Sequence, residues 1–502
     1  MFKKGIGICV LLCALSIKAQ VPAVVWQKLY GGSGSEVANS IKQTTDGGYI
    51  VAGYTTSSNG DITSNHGSYD FWVLKLDAAG ALEWQKTYGG LRDDRANNIQ
   101  QTTDGGYIVV GVSESIEGDI TNYRGDKDFW VVKLSPDGTI EWQKKYGGDD
   151  KETAYSVKQT TDGGYIVAGS CYSYDNNIMP VNGDVVGFHG FTDGWIIKLS
   201  NTGVIEWQQC LGTTTIDNFL SIQQTADGGY IAAGDHSSGN YWLVKLANNG
   251  DFEWEKIYAD TDTAQNVIQT SDGGYIMVGD VVSQIGNETG HNYGVIKVNS
   301  VGDYEWRKDY GGDGFFDIAK SIQQTPEGGY IIAGVSDSSY SGNVTGANNG
   351  QQDAWLVKIT STGVIQWQKC FGGTSYDGTS TIQRTTDGGY IMAGYAQSNT
   401  GNFTGNHGGT DLWVVKLAPD SLGLEISELD DSSVLFTPNP ADDKITFLQE
   451  VDSVSLYNIT GELLLETRQK TREINLTNLA KGNYLLNVQT QKGFYKTKLI
   501  KK

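Results

Sequence analysis

Short runs of apolar residues, each bounded by Gly, Asn or Asp, follow one another through most of the chain and recur in a fixed order. In the first copy they occupy residues 40–44, 49–56, 71–77 and 82–88. They are β-branched or aromatic and too short for helices, so each predicts a strand. Asp46-Gly47-Gly48 suits a tight turn between the first and second strands, because glycine accepts the positive φ that such hairpins need. Asp77-Ala78-Ala79-Gly80 does the same between the third and fourth. The third run is apolar at consecutive positions, which predicts a sheet covered on both faces.

Self-similarity dominates the pattern. A tryptophan marks the fourth strand of each copy, at Trp26, Trp84, Trp142, Trp207, Trp254, Trp306 and Trp367, about 57 residues apart on average. The turn unit ends in Tyr49, Tyr107, Tyr165, Tyr230, Tyr275, Tyr330 and Tyr390. A second tryptophan marks the third strand at Trp72, Trp130, Trp195, Trp242, Trp355 and Trp413, with Gly294 in its place in the fifth copy, so all 13 tryptophans fall at two repeat positions. Seven copies of a four-stranded unit predict an all-β fold, a seven-bladed β-propeller over residues 24–417. Only a fourth-type strand precedes the first copy, and none follows the last third strand at 412–417. The N-terminal strand is therefore expected to complete the seventh blade and close the ring, removing exposed edges. A linear solenoid is the rival, but it would need capping repeats, and none is visible.

Residues 1–19 read as a signal peptide, with Lys3-Lys4, an apolar run over 5–17 and Ala19 before the expected cut. No later stretch reaches the roughly 18 apolar residues of a spanning helix. The 58 acids against 37 Lys+Arg give a net charge of −21, which disfavours nucleic acid as a partner. Past an acidic linker at 418–435, residues 436–502 turn basic and alternate apolar with polar residues, predicting a small β-sandwich.

Three cysteines remain after the leader: Cys171, Cys210 and Cys370. Cys171 and Cys210 end strands that a third strand separates by about 9.5 Å, beyond the roughly 7 Å reach of a disulfide. Cys210 and Cys370 hold equivalent places in different copies. Three free thiols are expected.

Carboxylates recur at three repeat positions, among them Glu36, Asp46 and Asp70 in the first copy. Catalysis needs one or two acids in unlike surroundings, so a sevenfold set reads as turn and blade-to-blade hydrogen-bond acceptors. Oxygen side chains alternate from Asp61 through Thr63 to Asn65 and end at Asp70, as a calcium loop would allow. Yet the spacing is not that of an EF-hand, and Asx and Ser/Thr turns explain them with no metal. No cofactor is expected, with calcium the one ion considered. No catalytic motif is present. All five histidines fall between second and third strands and read as solvent-facing loop residues. The loop of the third copy is the longest. It makes Tyr172, Tyr174 and His189 candidate ligand contacts, the alternative being an insertion that packs over the next loop. Arg92, Arg95 and Arg124 cluster in the second copy and are candidates for an anionic sugar.

Two resemblances follow. Pro438-Asn439-Pro440, Leu456-Tyr457-Asn458 with Gly461, Leu479 through Gly482 to Tyr484, and a basic end at Lys502 are similar to the type A C-terminal sorting domain of the type IX secretion system of Bacteroidetes. That resemblance implies engagement of the type IX machinery and passage to the exterior or the outer-membrane surface. The Asp-Gly-Gly-Tyr units resemble those of repeat propellers from environmental bacteria and archaea, and partly the structural Asp-box of sialidase-type propellers. The expected function is a secreted or surface-displayed binding or adhesion protein for polysaccharide or another surface polymer. The alternative is a glycan-degrading hydrolase or lyase, which would need a non-repeated acid pair at the ring centre.

Overall fold

Each turn unit closes a hairpin through its own aspartate. Asp46 Oδ1 accepts hydrogen bonds from the Thr44 hydroxyl at 2.5 Å and from the Gly48 amide at 2.9 Å, while Gly47 takes φ of +86°. The same bonds recur at Asp104, Asp162, Asp227, Asp272 and Asp387. The computed structural model describes residues 18–121, 125–172, 183–237, 239–285, 288–346, 348–420, 422–423, 436–458, 463–490 and 493–502. Within 21–421, these turns join strands into seven four-stranded antiparallel sheets among the described residues, and no helix occurs among them. The arrangement is all-β and propeller-like.

In the first sheet the strands are Glu36–Gln43, Tyr49–Thr55, Asp70–Leu76 and Leu82–Tyr88. The first strand starts four residues before the expected position. A β-bulge between Ala38 and Ser40 lets residues 36–39 stay in the ladder although Glu36 and Asn39 break the apolar pattern. That bulge also explains Gly53, since a Cβ there would lie 1.8 Å from the Val37 carbonyl oxygen. The third strand is buried at every position, as the apolar run Phe71–Leu74 requires, and Asp70 and Lys75 are buried with it. In the fifth sheet the second and third strands lengthen into a hairpin, Tyr275–Ile285 with Glu288–Val298. His291 therefore lies on a strand rather than in a loop.

Neighbouring sheets pack through aromatic pairs. Phe71 meets Trp130 at 4.4 Å between ring centroids, and Phe129 meets Trp195 at 4.6 Å. Each third-strand Trp is buried, and the indole N–H of Trp72 donates to Gln85 at 2.9 Å, which removes the cost of burying that donor. The last sheet is built from Asp377–Arg384, Tyr390–Ala396 and Asp411–Leu417, with Val24–Tyr30 paired to the third of these. One apolar core holds Leu412 and Val414 of that sheet together with Tyr49 and Trp72 of the first.

The C-terminal unit has two sheets. Phe436–Thr437, Lys444–Val451 and Thr471–Asn475 form one, and Leu463–Thr467, Ser453–Tyr457, Gly482–Thr490 and Gly493–Lys501 form the other. Ile445, Leu456, Leu486 and Leu499 share its core. Thr471–Asn475 pairs as a strand although its Thr-Arg-Glu-Ile-Asn sequence has a single apolar residue.

Candidate functional site

The first strands of all seven sheets line one cavity of about 900 Å³. Its wall is mostly amide and hydroxyl side chains, including Asn39, Asn98, Gln100, Ser221 and Gln323, and no carboxylate lines it. Glutamines tie these strands to one another. The Gln101 side chain accepts the Thr45 amide, Gln159 accepts Thr103, Gln224 accepts Thr161, Gln269 accepts Ala226 and Gln324 accepts Ser271, all at 2.8–2.9 Å. Gln43 accepts Thr386 in the same way at 2.8 Å, linking the first sheet to the last. At the remaining junction Pro326 has no N–H to donate, and Arg384 stands where the others have glutamine.

Three lysines enter this wall: Lys42, Lys158 and Lys320. Burial, then repulsion from Lys158, lowers the Lys42 ammonium to about 7. Burial also lowers Lys158, and it lowers Lys320 against partial relief from Asp280. Lys320 donates to Gln265 at 3.3 Å. No carboxylate acts on Lys42 or Lys158. Holding both groups charged without a counter-charge is costly, so each sheds its proton more readily than a free lysine, and an anion beside them would favour the charged form. The sequence carried no sign of this site, because lysine fills the Lys42 position in only one other copy, at Lys158, while Lys320 stands at the Asn39 position. Their direction also depends on the bulged register of the first strand.

A second set of lysines is structural. Lys75 is 4% exposed and bridges Asp46 and Glu83, both at 2.9 Å. Lys133, Lys198, Lys245 and Lys297 repeat the arrangement, and Lys358 pairs with Glu327 and Asp420. Burial raises the Asp46 carboxyl, but bonds from Thr44, Lys75 and Gly48 outweigh it and hold the group at about 2. Three of the acids at the sheet junctions, Asp94, Glu152 and Asp317, behave oppositely, because burial raises them. Glu152 accepts from the Gly148 amide at 3.0 Å, yet burial and the neighbouring Asp128 push it up to about 8. These repeated carboxylates close turns and join sheets.

The expected site residues divide. Arg95 lies over the Tyr69 ring at 4.0 Å and pairs with Asp93 at 3.0 Å, so its guanidinium is engaged within the chain. Arg92 is exposed, and Arg124 lies outside the described residues. Tyr172 meets Phe191 edge-to-face at 5.2 Å, while Tyr174 lies outside the described residues. The three calcium candidates have separate partners. Asp61 accepts the Gly31 amide, Asn65 accepts the Gly67 amide, and Asp70 accepts both the amide and the imidazole of His66. Nor are the histidines simply solvated. His66, His189 and His407 stand against Asp70, Asp193 and Asp411 at 2.7, 3.2 and 2.6 Å, His291 lies 3.0 Å from Asp280, and His236 lies 4.0 Å from Asp217. A spacing of four residues, His-x-x-x-Asp, signals three of these pairs in the sequence.

In the tail, Asn439 between Pro438 and Pro440 holds the last strand in place. Its side chain accepts the Ile500 amide and donates to the Lys498 carbonyl, both at 2.9 Å. The Lys502 amide donates to Ala441, and the Tyr484 hydroxyl to Ala480, just before Gly482 opens the strand. Gly461 lies outside the described residues.

Residues 436–502 match the family of secretion system C-terminal sorting domains. The tail is that of the type IX secretion system, and the protein is exported to the extracellular space or the outer-membrane surface. No helix among the described residues is long and apolar enough to cross a membrane. No curated protein matches the chain in sequence. Among solved structures, the Pan2 WD40 domain of Neurospora crassa is similar at 10% identity and a TM-score of 0.44, over 76% of this chain and 90% of that one. A fungal alcohol oxidase of the AA5 family in complex with copper is similar at 12% identity and 0.43, over 95% and 100%. Sqt1 from Chaetomium thermophilum is similar at 10% and 0.41, over 79% and 100%.

Proposed function

We propose that the seven sheets are the blades of a ring closed by Val24–Tyr30, and that this ring is a surface-displayed binding module for an anionic polysaccharide. The observation that carries this is the pair Lys42 and Lys158, amines with no carboxylate partner in the wall of a cavity shared by all seven first strands, whose charged forms an anion would favour. A uronate or sulfate group would supply the missing charge. The surrounding amides and hydroxyls suit sugar hydroxyls, and Tyr155 adds an aromatic face for a ring. The net charge of −21 repels polyanions from the rest of the surface, which confines attraction to the cavity.

The alternative of glycan cleavage at the ring centre calls for two carboxylates flanking the scissile bond. The cavity lining has none. The test is a glycan array probed with the purified mature protein, read for both retention and released product. Retention of uronic or sulfated glycans without product supports a binding module. Release of product from any glycan overturns it in favour of an enzyme, and retention of neutral glycans alone removes the role given to the lysines.

A further inference from the structure

The third sheet departs from its neighbours at two positions that face each other across one strand. Where Thr55 and Ser113 sit opposite Asp70 and Asp128, Cys171 sits opposite Asp193. Where Thr87 and Lys145 sit opposite Trp72 and Trp130, Cys210 sits opposite Trp195. Both thiols are free and buried, and their sulfurs lie 3.4 Å apart. Cys210 Sγ is also 3.4 Å from Asp193 Oδ2, and that oxygen is 3.2 Å from His189 Nδ1. One donor atom each from His189, Asp193 and Cys210 lies within 4.8 Å of the others.

We propose that His189, Asp193 and Cys210, with Cys171 as the fourth donor, bind one zinc ion. A tetrahedral zinc has bonds of about 2.3 Å to sulfur and about 2.0–2.2 Å to nitrogen and oxygen, which sets its ligand–ligand edges at about 3.3–3.8 Å. The contacts of 3.2, 3.4 and 3.4 Å already approach those edges. Two thiolates and an imidazole favour zinc over calcium or magnesium, which prefer all-oxygen sites. Asp193 is fully buried, whereas the His189 side chain is about half exposed (49%), leaving an entry from solvent.

The other sheets serve as internal controls. His66–Asp70 and His407–Asp411 repeat the imidazole–carboxylate pair without thiols. Cys370 repeats the place of Cys210 opposite Trp355, but Ser336 stands where Cys171 would be needed. Among the described residues only the third sheet sets a thiol, Cys210, into such a pair and a second, Cys171, against the first.

The test is the metal content of the full mature chain by mass spectrometry, after loading with Zn²⁺ and dialysis. One zinc per chain is expected in the unaltered protein and in Cys370→Ser, with loss of that zinc in Cys210→Ser and in Cys171→Ser. Cobalt substitution guards against variants that fail to fold, since two thiolates should give the unaltered protein an intense sulfur-to-cobalt charge-transfer band. Substoichiometric zinc, zinc retained in Cys210→Ser, or a Cys171–Cys210 disulfide in the isolated protein would overturn the site.

Discussion

Trp26 packs against Tyr49 with ring centroids 5.8 Å apart and planes at 65°, and Trp84 packs against Tyr107 at 6.0 Å and 63°. The second pair joins consecutive sheets. The first joins Val24–Tyr30, carried on the last sheet, to the first sheet. The pairing of the last sheet with the first therefore reuses the contact seen at five other junctions, and the Thr386 amide adds the matching hydrogen bond to the Gln43 side chain. If the ring is closed in solution, Trp26→Ala and Trp84→Ala should destabilise the protein equally. Each should cost about 2–3 kcal/mol, somewhat below the range for a fully buried tryptophan. Urea unfolding measures both. A Trp26→Ala variant as stable as the unaltered protein would mean that the strand frays and the ring stands open.

The buried lysine of the turn unit predicts an asymmetry. Lys198 is 2% exposed, while its partners Asp162 and Glu206 are 58% and 44% exposed. Removing both acids leaves an unpaired charge in the interior, whereas removing the lysine leaves two acids that water can solvate. The double variant Asp162→Asn/Glu206→Gln should lose about 3 kcal/mol or more, and Lys198→Met clearly less. Equal losses in chemical denaturation would show that the ammonium reaches solvent.

Glu152 predicts a pH dependence of stability. Its carboxyl titrates near 8 in the folded chain, well above its ordinary 4.5, so the native state binds the extra proton between these values. Its contribution is complete below pH 4.5 and is lost as pH rises through about 8. The thermal midpoint of Glu152→Gln should fall less than that of the unaltered protein between pH 5 and 9. Parallel curves would assign the slope to other groups.

Much of the architecture was readable in the sequence because sevenfold repetition averages out local ambiguity. The outer strand Leu82–Tyr88 falls where its pattern places it, and the Asp46 turn forms as its glycines require. What escaped was what repeats do not share. Lys42 occupies a position filled by Gln100 and Ile268 in other copies, and only the assembled cavity shows that it meets Lys158. The Cys171 and Cys210 thiols remain unbridged, as two strand spacings imply, yet their side chains lean over the intervening strand until the sulfurs touch. Spacing between backbones does not register that reach. Arg95 looked available for a ligand because Tyr54 and Tyr69, whose rings it covers, belong to the preceding sheet and its loop.

The central claim is that the cavity lysines bind an anionic sugar, and calorimetric titration of the mature protein with oligogalacturonate tests it most directly. Binding should be strongest at pH 6 and weaken by pH 9, because Lys42 loses its proton near 7 and with it the charge that holds the carboxylate. Lys42→Ala/Lys158→Ala should weaken binding at pH 6 by roughly 10- to 100-fold, the worth of one or two charge-assisted hydrogen bonds. Arg92→Ala/Arg95→Ala should leave it unchanged. Full binding by the lysine variant, or affinity that does not change between pH 6 and 9, would contradict the account.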